Sequence, residues 1–332
     1  YPYDLLSKLQ FAQAHTESVP AFWAFNWHLT HLVTGDLDQL FTGNLFYPLE
    51  DSALFNENLL STALLSIPLF WLTGDSYLCY EASIFGSFIL CSLGMYLLAR
   101  QLGLDILASI LASLIFSFSE YRSGTFIYGH YAAMQWMPFT LLFIHKYFDQ
   151  KKRGHLYWAA LFFGLQATAS ATYFILFSLF LLAFLIILCV QNKSFRSKSF
   201  YADAVIPFFF ALTLVALNYF PYFEVSQNYG FKRSIATQAF YGLPISSFLY
   251  APGSFLFEPL GERFGNSVGG HYPPRYTALI LTFVALMTLR VDTSRPSGGQ
   301  KFNIFLLVAS LLTLIAWQFQ PIIAEPVLKR FP

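Results

Sequence analysis

The sequence predicts an all-α protein, a polytopic bundle of transmembrane helices with extracytoplasmic loops and juxtamembrane helices. Three observations carry that expectation. Of 332 residues, 56% are hydrophobic and 11% are charged, where soluble domains carry roughly 25% charged residues. Several apolar runs approach or reach the length of about 20 residues that crosses a hydrocarbon core of about 30 Å. Short linkers such as KYFDQKKRG (146–154) and QNKSFRSK (191–198) are basic, while longer polar segments hold the acids. The net charge of +1 comes with no basic stripe, so the pattern that neutralises phosphate backbones is missing and nucleic acid is excluded as a partner. Cys79, Cys91 and Cys189 lie in apolar runs without a CxxC pair, and read as small packed side chains.

In chain order, Leu5, Leu6, Leu9 and Ala12 fall near one face at helical spacing, which suits a helix lying on a membrane surface. The chain starts at Tyr1 without a signal-peptide pattern, and we read it as a fragment with a first membrane helix expected upstream. Phe22 to Glu57 is polar and aromatic, broken by Gly35, Gly43 and Pro48, and reads as short helices and turns outside the bilayer. Asn58 to Leu72 is apolar but short and contains Pro68, which fits an interfacial or re-entrant piece. Leu78 to Ala99, Ile106 to Phe118 and Tyr131 to Phe148 read as spans. Leu156 to Val190 is too long for one crossing, at roughly 52 Å if fully helical. Its small polar patch, Thr168 to Thr172, is the expected corner. Ala204 to Phe220, Tyr276 to Leu289 and Phe302 to Trp317 complete a single transmembrane domain of about seven spans. Its parts are a first extracytoplasmic loop (1–57), helices (58–220), a long extracytoplasmic loop (221–275), and further helices with a truncated end (276–332).

Cytoplasmic loops are enriched in Lys and Arg. If Asn58 to Leu72 does not cross, 11 of the 19 Lys and Arg fall in short inside loops. The outside face then collects residues 1–57, Glu120 to His130, Pro221 to Arg275 and the C-terminal stretch, and any chemistry is expected there.

The acids Glu17, Asp36, Asp38, Glu50, Asp51 and Glu57 are candidates for a general base or for oxygen ligands to a divalent cation; a solvated acidic loop is the plain alternative. Glu57 stands at the mouth of an apolar run, where an unpaired carboxylate is costly. His28 and His31 share a helix face but have no third metal ligand at a fitting distance. Arg122 and His130 suit a phosphate oxyanion, or else interfacial anchoring. The long loop holds Lys232, Arg233 and His271 among many aromatic residues, a mixture suited to stacking on a sugar and gripping a charged headgroup, or to capping the bundle. Glu81 sits near the outer end of its span, where snorkelling is expected. No P-loop, GxSxG, HExxH or dinucleotide fingerprint lies on a suitable element.

The order of several short patterns resembles a family. These are W-x3-W-x3-H (Trp23, Trp27, His31), FTGNLFYP (Phe41 to Pro48), NExLL (Asn56 to Leu60), LLAR (Leu97 to Arg100), EYR-x7-H (Glu120 to His130), Q-W-x-P (Gln135 to Pro138) and S-x-x-Y (Ser170 to Tyr173). Together they resemble bacterial integral membrane proteins of the GT-C glycosyltransferase class, and within it the YfhO-like group. The resemblance implies a multi-helix enzyme of the bacterial cytoplasmic (inner) membrane that moves a sugar from a polyprenyl-phosphate donor to an envelope glycan or lipid acceptor on the outer face. An acid in the first outside loop serves as base or metal ligand in that class. Glu17 stands where relatives have Asp, and Asp36 and Asp38 are the substitutes. Trp27, His31, Asn44, Glu57, Arg122, His130, Lys232, Arg233 and His271 are the expected substrate-binding residues, and a divalent cation is the one cofactor considered. The competing expectation is a lipid or polysaccharide transporter, which requires ionisable residues deep within the spans.

Overall fold

The computed structural model describes residues 19–119, 122 and 125–231. Every described regular element is helical. The longer helices are α1 (Val19–Thr34), α2 (Leu60–Thr73), α3 (Ser76–Gln101), α4 (Ile106–Ser117), α5 (Trp136–Gln150), α6 (Gly154–Ala167), α7 (Ala171–Gln191) and α8 (Lys198–Tyr229). The chain divides into two compact units. Apart from residues 182–187 of α7, these helices belong to the first, whose described residues are 19–118, 125–181 and 188–230.

Local chemistry sets many of the helix ends. Asp75 accepts hydrogen bonds from the amides of Tyr77 (2.9 Å) and Leu78 (3.1 Å), Asp105 accepts from Ala108 at 2.8 Å, and Ser170 and Ser197 start α7 and α8 in the same way. Such caps satisfy amides that have no intrahelical acceptor. Gly74 and Gly230 end α2 and α8 with positive φ, the geometry that glycine adopts without strain.

Helix packing joins α1 to α2 and α3, α3 to α4 and α5, α5 to α6, and α6 to α8. Glycine allows two close approaches between these helices. A Cβ on Gly94 of α3 would come within 3.0 Å of Phe139 and 3.1 Å of Pro138 on α5, and one on Gly164 of α6 would run into Leu214 of α8. One buried cluster gathers Phe25, Leu29, Leu59, Ala63, Cys79, Tyr80 and Ile84; another gathers Leu98, Trp136, Phe139, Leu142 and Ala169. All three cysteines are buried and free, as their apolar surroundings predicted.

Among the described residues, three helices, α3, α7 and α8, are long and apolar enough to cross a membrane, while α2 and α4 are shorter apolar helices. The corner expected between two spans is present, because α6 ends at Ala167 and α7 begins at Ala171. Three sequence expectations change. The first third of the polar segment lies in a continuous 16-residue helix that begins before it, at Val19; no glycine or proline interrupts it between Ala21 and Thr34, and Ala21, Phe25 and Leu29 give it a buried face. The span expected at Ala204–Phe220 continues to Tyr229 through Pro221. A proline removes one helical hydrogen bond, while Tyr222 and Tyr229 tie that last stretch to neighbouring backbone. Glu81 does not snorkel; it is buried in the second turn of α3.

The helix order gives the first unit two chemically different ends. The start of α3, the α6–α7 corner, the end of α8 and residues 35–58 and 125–135 make an acidic, aromatic end. The links α3–α4, α5–α6 and α7–α8 make the other, which carries Arg100, Lys146, Lys151, Lys152, Arg153, Lys193, Arg196 and Lys198.

Candidate functional site

At the acidic end, residues 35–58 form a braced loop. Gly35 leaves α1 with φ +83°. Along α1, Trp23 stacks on Trp27 with ring centroids 5.4 Å apart, and Trp27 meets His31 at 4.5 Å. Trp27 Nε1 donates to the Gln39 carbonyl at 3.0 Å, so the aromatic ladder holds the loop as well as facing it. Gly43 is required where the loop folds back: its φ is +75°, and a Cβ there would strike the Ala53 amide and come within 2.9 Å of both Ser52 Oγ and the Trp23 ring. Ser52 Oγ accepts from the Leu45 amide at 3.1 Å. From α8, Tyr229 donates to the Glu50 carbonyl (3.1 Å) and Tyr222 to the Asn56 carbonyl (3.2 Å). On this frame Asp36, Asp38, Asn44 and Glu50 are exposed. The Asp36 side chain caps nothing, and Asp38 accepts one long contact from Gln39 at 3.5 Å.

Glu57 has a different setting. It is partly withdrawn from solvent. Its Oε2 accepts the Ala171 amide at 2.8 Å and its Oε1 accepts the Thr172 hydroxyl at 2.7 Å. The carboxylate therefore sits on the N-terminus of α7, where free amides and the helix dipole favour a negative charge. His130, Tyr219 and Tyr222 are close enough to interact with it electrostatically. Burial holds the His130 imidazole below its ordinary pKa, while Glu57 and the Tyr128 carbonyl pull the other way. Its Nδ1 is buried and makes no hydrogen bond of good geometry, and its ring packs 4.1 Å from that of Tyr131. Around this centre, Tyr173 donates to the Tyr131 carbonyl (2.9 Å), Tyr219 and Asn218 donate to the Ala167 carbonyl (3.0 and 3.2 Å), and Asn58 donates to Asn218.

The sequence candidates thus separate. Asp36, Asp38 and Asn44 stand on the exposed loop; Trp27 and His31 are half-buried beside it; Glu57 and His130 form the electrostatically linked centre. Arg122 is completely buried. Glu17, Lys232, Arg233 and His271 lie outside the described residues. Among the described residues no three His, Cys, Asp or Glu side chains form a metal-binding group. Sequence reading missed Thr172, Tyr219 and Tyr222. The available signal was the Ser-Ala-Thr start of α7, which reads as a helix N-terminus in want of an acceptor. Comparison of this chain with protein-family models, curated proteins and solved structures gives no match.

Proposed function

We propose that the chain is a membrane glycosyltransferase that takes a sugar from a polyprenyl-phosphate donor and gives it to a cell-envelope acceptor, working at the acidic end of the bundle. The observation that carries the reading is the pairing at one end of two kinds of carboxylate: Asp36 and Asp38 on a braced, solvent-facing loop, and Glu57 with His130 partly withdrawn from water. An exposed acid accepts a proton from an acceptor hydroxyl; a positioned imidazole donates to a phosphate oxygen. In the transfer, the acceptor oxygen loses its proton to a carboxylate and bonds to the sugar's anomeric carbon. The bond from that carbon to the phosphate oxygen breaks, and polyprenyl phosphate leaves with the electron pair. The apolar flank of α8 near the acidic end, with Leu217 and Phe220 exposed, offers a surface of the right chemistry for a prenyl chain. About seven spans in all, with the basic end toward the cytoplasm of a bacterial inner membrane, complete the proposal.

Single substitutions Glu17→Gln, Asp36→Asn and Asp38→Asn, assayed for transfer of radiolabelled sugar from a polyprenyl-phosphate donor in membranes, test it. Removal of the base is expected to lower the rate at least about 100-fold. Full transfer by all three variants removes the catalytic assignment.

A further inference from the structure

The opposite end of the bundle carries a second constellation, independent of the glycosyl-transfer reading. Two short links are basic: Lys151, Lys152 and Arg153 join α5 to α6, and Lys193 and Arg196 lead to Lys198 at the start of α8. All six are exposed. The links share one surface, because Tyr147 and Phe148 at the end of α5 pack on Phe200 of α8 with centroids 6.2 and 6.0 Å apart. Lys151 Nζ lies 5.5 and 4.9 Å from the centres of those same two rings.

The acids at this end are already engaged. Asp149 accepts from Gln101 at 2.6 Å and faces His145 at 3.5 Å, Asp203 accepts from the Tyr147 hydroxyl at 3.0 Å, and Asp105 caps α4. Among the described residues, no ion pair joins any of the six cations to an acid. Backbone geometry adds a separate observation. Lys151 and Lys193 both take left-handed conformations, φ +54° and +52°, beside helix C-termini, a position where glycine is the usual residue because a Cβ is strained there. Two lysines in such places keep strain that glycine would remove, which points to use of their side chains. Exposed Trp158 and Tyr201 flank the links, as aromatic rings do at a membrane interface. Val205, Ile206 and Phe209 continue from the cations along the exposed side of α8.

We propose that the two links form a binding site for the phosphodiester headgroup of an anionic phospholipid, with its acyl chains against the outer face of α8. The adjoining apolar wall is what favours a lipid over a free phosphate ion. Thermal unfolding of the full chain in zwitterionic detergent, with added phosphatidylglycerol, phosphatidylcholine or inorganic phosphate, tests it. Phosphatidylglycerol is expected to raise Tm and the other two to leave it unchanged. In the double variant Lys151→Gly/Lys193→Gly, the lipid-free Tm is expected to change little, because relief of the left-handed backbone at both positions offsets loss of the Lys151 contact with Tyr147 and Phe148. Its affinity for phosphatidylglycerol is expected to fall about fivefold per lysine removed. Equal shifts with both lipids, a shift with inorganic phosphate alone, or an undiminished phosphatidylglycerol response in the double variant would each overturn the proposal.

Discussion

His28 is a side chain whose protonation state depends on where the chain folds. It is 1% exposed within α1, and burial, aided by the charge of nearby His31 and opposed by the Ala24 carbonyl, pushes its pKa down from 6.5 to about 4. The folded protein therefore holds it neutral. Above pH 6.5 both folded and unfolded forms are neutral and no stability is lost; as pH falls from 6.5 toward 4 the unfolded chain takes up a proton that the folded chain refuses. At about 1.36 kcal/mol per unit, the loss amounts to roughly 3 kcal/mol. His28→Leu is expected to flatten this part of the stability profile, read as Tm against pH, and identical profiles would sink the assignment. The sequence showed His28 and His31 as near neighbours on a helix. It did not show that one would be buried and the other half-exposed, because a three-residue step leaves about 60° between them and the packed face is chosen by α2 and α3.

At the scale of elements, the chief contact is made by a residue before α2 with the first turn of α7, more than a hundred positions later in the chain. Hydrogen bonds to a charged group contribute about 1.5–3 kcal/mol each in favourable settings. Glu57→Ala is expected to destabilise the protein by about 2–3 kcal/mol, Glu57→Gln by less because it keeps one acceptor, and Thr172→Ala by about 1 kcal/mol. A Tm series over the three variants checks the order; a Glu57→Ala protein as stable as the parent would show that the cap contributes nothing. The α6–α7 corner was legible from the small polar patch between two apolar runs. The carboxylate that occupies it was not, since Glu57 read equally well as a substrate ligand from sequence. A further partner for Glu57 has to approach a group whose two oxygens each already hold a donor.

At the largest scale, the separation of charge between the two ends of the first unit, among the described residues, is the property with the widest consequences. Cations gather at the links α3–α4, α5–α6 and α7–α8, and exposed Asp36 and Asp38 stand at the other end. A membrane-impermeant thiol reagent applied to intact cells is expected to label Asp38→Cys and to spare Lys152→Cys until the membrane is opened. The native cysteines are buried, so they contribute little background. Labelling of Lys152→Cys in intact cells would invert the proposed orientation.

Composition and the lengths of the apolar runs determined by themselves that the described elements are helices and that some of them are long and apolar enough to cross a membrane, because hydrocarbon admits helices whose backbone bonds are made internally. Local patterns also located the α6–α7 turn and the basic links. Tertiary structure decided what those patterns could not hold. It carried α8 past Pro221 to pin the loop through Tyr222 and Tyr229. It set Glu57 on α7 and His130 within its field, and brought two basic links to one surface through Tyr147, Phe148 and Phe200. Each of these is a contact between residues far apart in the chain, and hydropathy along a sequence records how much a segment avoids water without recording which neighbour replaces it.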